Sequence, residues 1–186
     1  MVIKNNEKNE IIINKSRFIT YLYKINSKEE FVNILDNLKK EYKDATHICY
    51  AYIINSDIRF SDDKEPNGSA GLPIYNVLKN NNLNYIACFV IRYFGGIKLG
   101  GSGLVRAYSN SVSLCLKETE IIEYKEKVKV QITIPYSKNN LIENIINKED
   151  ILEKKYDDLV YYKVLIDKED LKKLDEKKIE YIIKND

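Results

Sequence analysis

RYFGGIKLGGSGLVRAY, residues 92–108, gathers five of the chain's seven glycines into one short stretch. It follows YIACFVI (85–91), a nearly unbroken apolar run, and leads into a segment whose apolar residues recur every three or four positions. The stretch therefore reads as the end of a buried strand, a glycine-rich turn and the start of a helix. Leu104, Ala107, Tyr108, Ser111, Val112 and Cys115 fall on one side of that helix, with Arg106, Ser109, Asn110, Ser113 and Lys117 on the other. ICYAYII (48–54) is a second run of the same kind, and both suit central strands covered on both faces. Read as parallel neighbours, these strands bring the loops that follow or precede them to one edge of a sheet.

The same reading extends in both directions. RFITYLYKI (17–25) is a strand, and SKEE begins a helix with Ser27 as its cap and Glu30 completing a capping box. Phe31, Ile34, Leu35 and Leu38 give that helix one apolar face, ending near Tyr42. Pro73 suits the first turn of a short helix carrying Ile74, Val77 and Leu78. After the charged stretch EYKEKVK (123–129) the pattern changes. VKVQITI alternates strictly, as in a sheet with one wet face. A helix from Ser137, strand-like runs at 151–156 and 159–166, a helix opened by Asp167 and a closing IEYII follow. This gives β-α-β-β-α-β, the ferredoxin-like order. The expectation is an α+β chain of two domains, 1–127 and 128–186.

Composition narrows the function classes. With 44% hydrophobic and 31% charged residues the chain is globular, not disordered. No apolar run approaches the roughly 18 residues of a membrane span, and the polar start MVIKNNEKNE lacks a secretion signal, so a cytoplasmic location is expected. Cys49, Cys88 and Cys115 are odd in number and widely spaced, with one histidine beside them, which reads as buried free thiols and not a zinc site. Net charge is +2, with 18 Lys+Arg against 15 Asp+Glu through residue 127 and 12 against 13 beyond it. All four arginines lie in the first part. Bulk charge does not mark a nucleic-acid binder; its distribution leans that way.

Three segments occur together in the first domain: HICYAY (47–52), FSDDKEPNGSAGLPI (60–74) and RYFGGIKLGGSGLVRAY. They closely resemble the signature of the YigZ/IMPACT family, and KSRFITYL (15–22) and ITIPYSKNNLIENI (132–145) extend the match over nearly the whole chain. The resemblance implies an N-terminal domain folded like the second domain of a small-subunit ribosomal protein, shared with GHMP kinases and domain IV of elongation factor G. It implies a ferredoxin-like second domain. Eukaryotic members add an RWD domain and restrain an amino-acid-starvation kinase by competing for its ribosome-bound activator; without that domain, this chain resembles the bacterial form. Translation-linked or nucleic-acid-binding roles are then implied. Two positions depart from the family pattern: Lys64 stands where glycine is usual, and LGGSGL replaces LGTGGL, placing Gly101 and Ser102 where Thr and Gly are usual.

The residues themselves leave alternatives. Glycines before a helix allow backbone N–H groups to face an anion, with the helix dipole assisting and Ser102 as cap or extra donor. Arg92, Lys98, Gly100, Gly101, Ser102, Gly103 and Arg106 are thus the candidate anion or nucleic-acid site. Equally, the glycines only turn a buried strand into a helix. Catalytic nucleotide handling lacks a Walker pattern. Asp62, Asp63 and Glu65 are enough carboxylates to hold Mg²⁺, yet also suit a turn in which Asp63 or Glu65 pairs with Arg92 or Arg106, or a partner contact. His47 is either an acid–base group or a hydrogen-bonded histidine at a strand start. Tyr93 and Phe94 are the candidate stacking pair among the aromatics, with core packing as the alternative. The leading expectation is a non-enzymatic binding protein that regulates translation through RNA, ribosome or translation-factor contacts, with no cofactor. The competing ones are a metal-dependent phosphoester or nucleotide-handling enzyme and a protein-interaction module.

Overall fold

The computed structural model describes residues 1–184. The chain divides into two compact units, Met1–Glu123 and Tyr124–Asp186. In the first, strands β1 (Val2–Ile3), β2 (Glu7–Ile13) and β3 (Ser16–Lys24) precede helix α1 (Lys28–Glu41). Ser27 caps α1 by accepting the Glu30 N–H, and the Glu30 carboxylate accepts from Asn26 N, one residue before the cap. Strands β4 (His47–Ile54) and β5 (Asp57–Ser61), helix α2 (Gly71–Asn80), strand β6 (Ile86–Tyr93), helix α3 (Gly100–Lys117) and strand β7 (Ile121–Ile122) complete it.

The five-stranded sheet runs β2-β3-β6-β4-β5, and every neighbour pair is antiparallel. The parallel pairing expected of the two apolar runs is therefore corrected: β4 and β6 are adjacent but antiparallel, with His47 opposite Arg92. Both faces of these strands are covered, as their composition requires. Cys49, Ala51, Cys88 and Val90 pack with Ile74, Leu104, Tyr108 and Val112 of α2 and α3 on one face. Tyr52, Phe89 and Ile91 pack with Phe31, Leu35 and Leu38 of α1 on the other. Continuous apolar runs satisfy two-sided burial whichever way the strands run, so composition does not disclose direction.

The second unit begins at Tyr124, ahead of the residue-127 boundary read from sequence, because Lys127 already belongs to strand β8 (Lys127–Ile134). A short helix α4 (Asn139–Glu143), strands β9 (Ile151–Tyr156) and β10 (Val160–Asp167), helix α5 (Leu171–Glu176) and strand β11 (Tyr181–Lys184) follow. The sheet order is β11-β8-β10-β9, all antiparallel. Val130, Ile132, Ile134, Val160, Tyr162 and Val164 alternate inward and bury Ile142, Ile146 and Leu174 of the helical side. No helix among the described residues is long and apolar enough to cross a membrane.

Candidate functional site

The β4–β5 hairpin decides where the acidic loop goes. β5 runs back along β4, pairing Ser61 with Tyr50, so residues 62–70 return to the end of the sheet where β4 starts and β6 stops. The expected meeting of the acidic and glycine-bearing segments thus occurs through a reversal of the chain, not through parallel strands.

Each carboxylate of that loop is taken up by the protein's own donors. Asp62 accepts from Gly68 N at 2.8 Å, Ala70 N at 2.9 Å and Gly71 N at 2.8 Å, capping α2 from outside the helix. Asp63 accepts from Ile48 N at 2.6 Å, and its carbonyl oxygen accepts from His47 Nδ1 at 2.7 Å. Glu65 is buried, and its Oε1 accepts from Arg92 at 2.6 Å and from the Tyr108 hydroxyl at 2.8 Å. His47 Nε2 stands 3.8 Å from the other oxygen. Cys49 Sγ lies 3.1 Å from the Asp62 carbonyl oxygen and 3.3 Å from the Tyr108 hydroxyl, and burial pushes both groups' pKa up. Among the described residues no three His, Cys, Asp or Glu side chains form a metal-holding group. The geometry is that of the turn-and-ion-pair alternative, and it leaves no free oxygen cluster for Mg²⁺.

Arg92 separates from the rest of the expected anion site. Its side chain is 6% exposed, bonded to Glu65 and at 3.4 Å to Ser16 Oγ, with its plane over Phe18 and near Phe94. A guanidinium so committed inside the unit is not available to an external anion. Its Nε has no acceptor. Lys98 and Arg106 are the reverse case: both are exposed and neither has a carboxylate partner among the described residues. They flank the start of α3, where Gly100, Gly101 and Ser102 are exposed. Ser102 does not cap the helix; the cap position is Leu99, and no side chain bonds there, so the first-turn N–H groups are unclaimed.

Two glycines have specific structural work. Gly100 has φ +72, the left-handed region that a side chain disfavours. A Cβ on Gly95 would stand 2.0 Å from the Lys15 backbone, so this glycine seats β6 against the turn between β2 and β3. The acidic loop has its own strain: Asp63 and Lys64 both take positive φ, +41 and +69. Lys64 thus occupies a backbone shape that suits the glycine usual there.

The expected stacking pair divides. Tyr93 is half-buried, donates to Asp44 at 2.9 Å and lies under Arg17, while Phe94 is exposed. Sequence reading missed Ser16 and the polar role of Tyr108; a tyrosine on an otherwise apolar helix face is the signal that points to a buried hydroxyl partner. It also missed the groove beside α3. An open groove of about 790 Å³ runs between the polar side of α3 and the β2–β3 turn, with Asn14, Ser102, Arg106, Ser109, Asn110 and Ser113 on its walls.

The chain is similar to known proteins over much of its length. A family model described as the Impact N-terminal domain matches residues 14–116, which contain the acidic loop, the glycine stretch and nearly all of α3. The IMPACT family member YvyE of Bacillus subtilis is 38% identical over 155 residues, covering 82% of this chain and 71% of the relative. An IMPACT family member of Haemophilus influenzae is 37% identical over 141 residues, covering 73% and 68%. A crystal structure of a protein described as hypothetical matches with a TM-score of 0.68 at 26% identity, over 100% of this chain and 97% of that one. Through the matched first unit and these relatives, the chain belongs to the IMPACT family.

Proposed function

We propose that this chain is a non-enzymatic binding protein linked to the regulation of translation, acting through RNA, ribosome or translation-factor contacts. Family membership supports the translation link. The observation that carries the binding role is the contrast of used and unused charge: Asp62 and Asp63 are bonded by backbone N–H groups and Glu65 pairs with Arg92, while Lys98 and Arg106 stand unpaired at the open start of α3. The binding face is Lys98, Gly100–Gly103 and Arg106, with the acidic loop as its internal brace. The same reading takes the first unit as the IMPACT-type domain, like the ribosomal-protein domain. The second it takes as ferredoxin-like, which its element order and its β11-β8-β10-β9 sheet support.

The test is fluorescence anisotropy of a labelled RNA oligonucleotide, titrated with the chain across a series of KCl concentrations. Arg106→Ala is expected to weaken binding across sequences and to reduce the salt slope by roughly 1. Unchanged affinity and slope would sink the arginine's role. Absence of RNA binding together with co-sedimentation with ribosomes or a translation factor would move the contact to protein.

A further inference from the structure

The groove beside α3 has a composition that the electrostatic reading leaves unused. Positions 102, 106, 109, 110 and 113 recur at helical spacing, so Ser102, Arg106, Ser109, Asn110 and Ser113 form one stripe about 16 Å long. Asn14 faces them from the turn across the groove, held there by two consecutive left-handed residues, Asn14 (φ +46) and Lys15 (φ +63). Arg106 is the one charged group in the lining, and no carboxylate is present. The hydroxyls and amides have no hydrogen-bond partner among the described residues. They are exposed or half-buried donors and acceptors, open to solvent and to a ligand.

A surface that holds nucleic acid by charge alone presents many cations, since each neutralised phosphate adds its share of counterion release. This groove presents one cation and a row of neutral hydrogen-bonding groups, set among the apolar Ile13, Leu99, Val105 and Ala107. RNA matches this lining because every nucleotide brings a neutral 2′-hydroxyl beside its phosphate, which gives the uncharged donors and acceptors a sugar group to bond. Deoxyribose lacks the 2′-hydroxyl, the group that lets a protein distinguish RNA from DNA.

We infer that the α3 groove is a ribose–phosphate site, with Arg106 on the phosphate and the serine–asparagine stripe on the ribose hydroxyls. The inference rests on the proposed function and adds to it the chemical basis of selection: the chain discriminates RNA from DNA by its sugar. Each neutral hydrogen bond to a 2′-hydroxyl contributes modestly, so two or three of them give a preference of about tenfold.

The experiment compares labelled U12 RNA with dU12 DNA, which differ only in the sugar, by anisotropy at one fixed salt concentration. Uridine monophosphate serves as competitor. Wild type is expected to bind the RNA about tenfold more tightly. Ser109→Ala with Ser113→Ala should bring the ratio to within about twofold of unity and leave DNA affinity unchanged. Alanine favours the helix at both sites, so the variant keeps its fold, and a circular dichroism melt checks this. Arg106→Ala should weaken both polymers and keep the ratio. Competition by uridine monophosphate at concentrations near the oligonucleotide's would assign the groove to a free ribonucleotide; its failure to compete would assign it to a chain. Equal wild-type affinity for the two sugars, or a ratio unmoved by the serine variants, overturns the inference while leaving the proposed function standing. Absence of binding to either polymer overturns the inference, and the proposed function is then decided by co-sedimentation with ribosomes or a translation factor.

Discussion

Removing one half of the Glu65–Arg92 pair should cost far more than removing both. The carboxylate is 3% exposed and the guanidinium 6%, at 2.6 Å. Arg92→Met leaves Glu65 buried with the Tyr108 hydroxyl as its remaining donor at 2.8 Å. Breaking a buried pair in this way costs about 3–5 kcal/mol. Relief of the Arg92 Nε, which has no acceptor, offsets about 1 kcal/mol, so a loss of about 3 kcal/mol is expected. Glu65→Leu should cost about the same, since it strands the cation. The double variant puts apolar groups at both positions and should lose only about 1–2 kcal/mol relative to wild type, a coupling of about 4–5 kcal/mol between the two sites. The three cysteines make the assay specific to the first unit, because Cys49, Cys88 and Cys115 are all buried there. Urea-dependent labelling of those thiols then follows the unfolding of that unit alone. A double variant as unstable as the sum of the single ones would refute the reasoning, as would single variants that lose less than about 1 kcal/mol.

Gly95→Ala should prevent the first unit from folding, because the new Cβ meets the Lys15 backbone at 2.0 Å, whereas Gly101→Ala, with nothing within 4 Å, should gain about 0.5–1 kcal/mol; thermal melts of the two variants decide it. Lys64→Gly should raise stability by about 0.5–1 kcal/mol by relieving its φ of +69, and an unchanged or lowered melting temperature would contradict the strain. Burial raises the pKa of Cys49 and Cys88, and pushes Cys115 up to about 12. Unfolded thiols ionise near 8.5, so the folded unit binds more protons above that pH; its stability is fully present below pH 8.5 and falls as pH rises, by up to about 1.4 kcal/mol per unit for fully buried Cys88. Urea midpoints from pH 7 to 10 should show this fall, and Cys88→Ala should make it shallower.

The elements built on strong periodicity were legible. Phe31, Leu35 and Leu38 on α1, and Leu104, Ala107, Val112 and Cys115 on α3, are buried on the faces their spacing assigns. β5 was not, because DIRFS is exposed along nearly its whole length and so carries no burial pattern. β2 opens with the charged run EKNE and alternates only between half-buried and exposed positions, which is the texture of an edge strand and also of a loop. Strand direction was hidden because two-sided burial imposes the same composition on both arrangements. In the candidate site, sequence supplied Glu65 and Arg92 as members of a pair of alternatives. The choice between Arg92 and Arg106 depended on the antiparallel register that sets His47 opposite Arg92, which no local pattern encodes. The groove was illegible for a similar reason: Asn14 joins the α3 stripe only through the fold.

The short pairing of β1 with β7 bears on how the first unit comes into being on the ribosome. Val2 and Ile3 pair with Ile122 and Ile121, and Lys4 N donates to the Glu120 carbonyl at 2.9 Å, so the two extremities of the unit clasp each other. Ile3 is fully buried in the layer beneath α3. Closing the longest loop in the unit carries the largest entropic cost, and the strand that closes it is the last to be synthesised. The five-stranded sheet can form earlier, but its hydrophobic layer stays ajar along that seam until β7 has emerged. During synthesis the nascent unit therefore passes through a stage in which this apolar margin lacks its cover, and the arrival of β7, with Ile121 packed against the core, closes it.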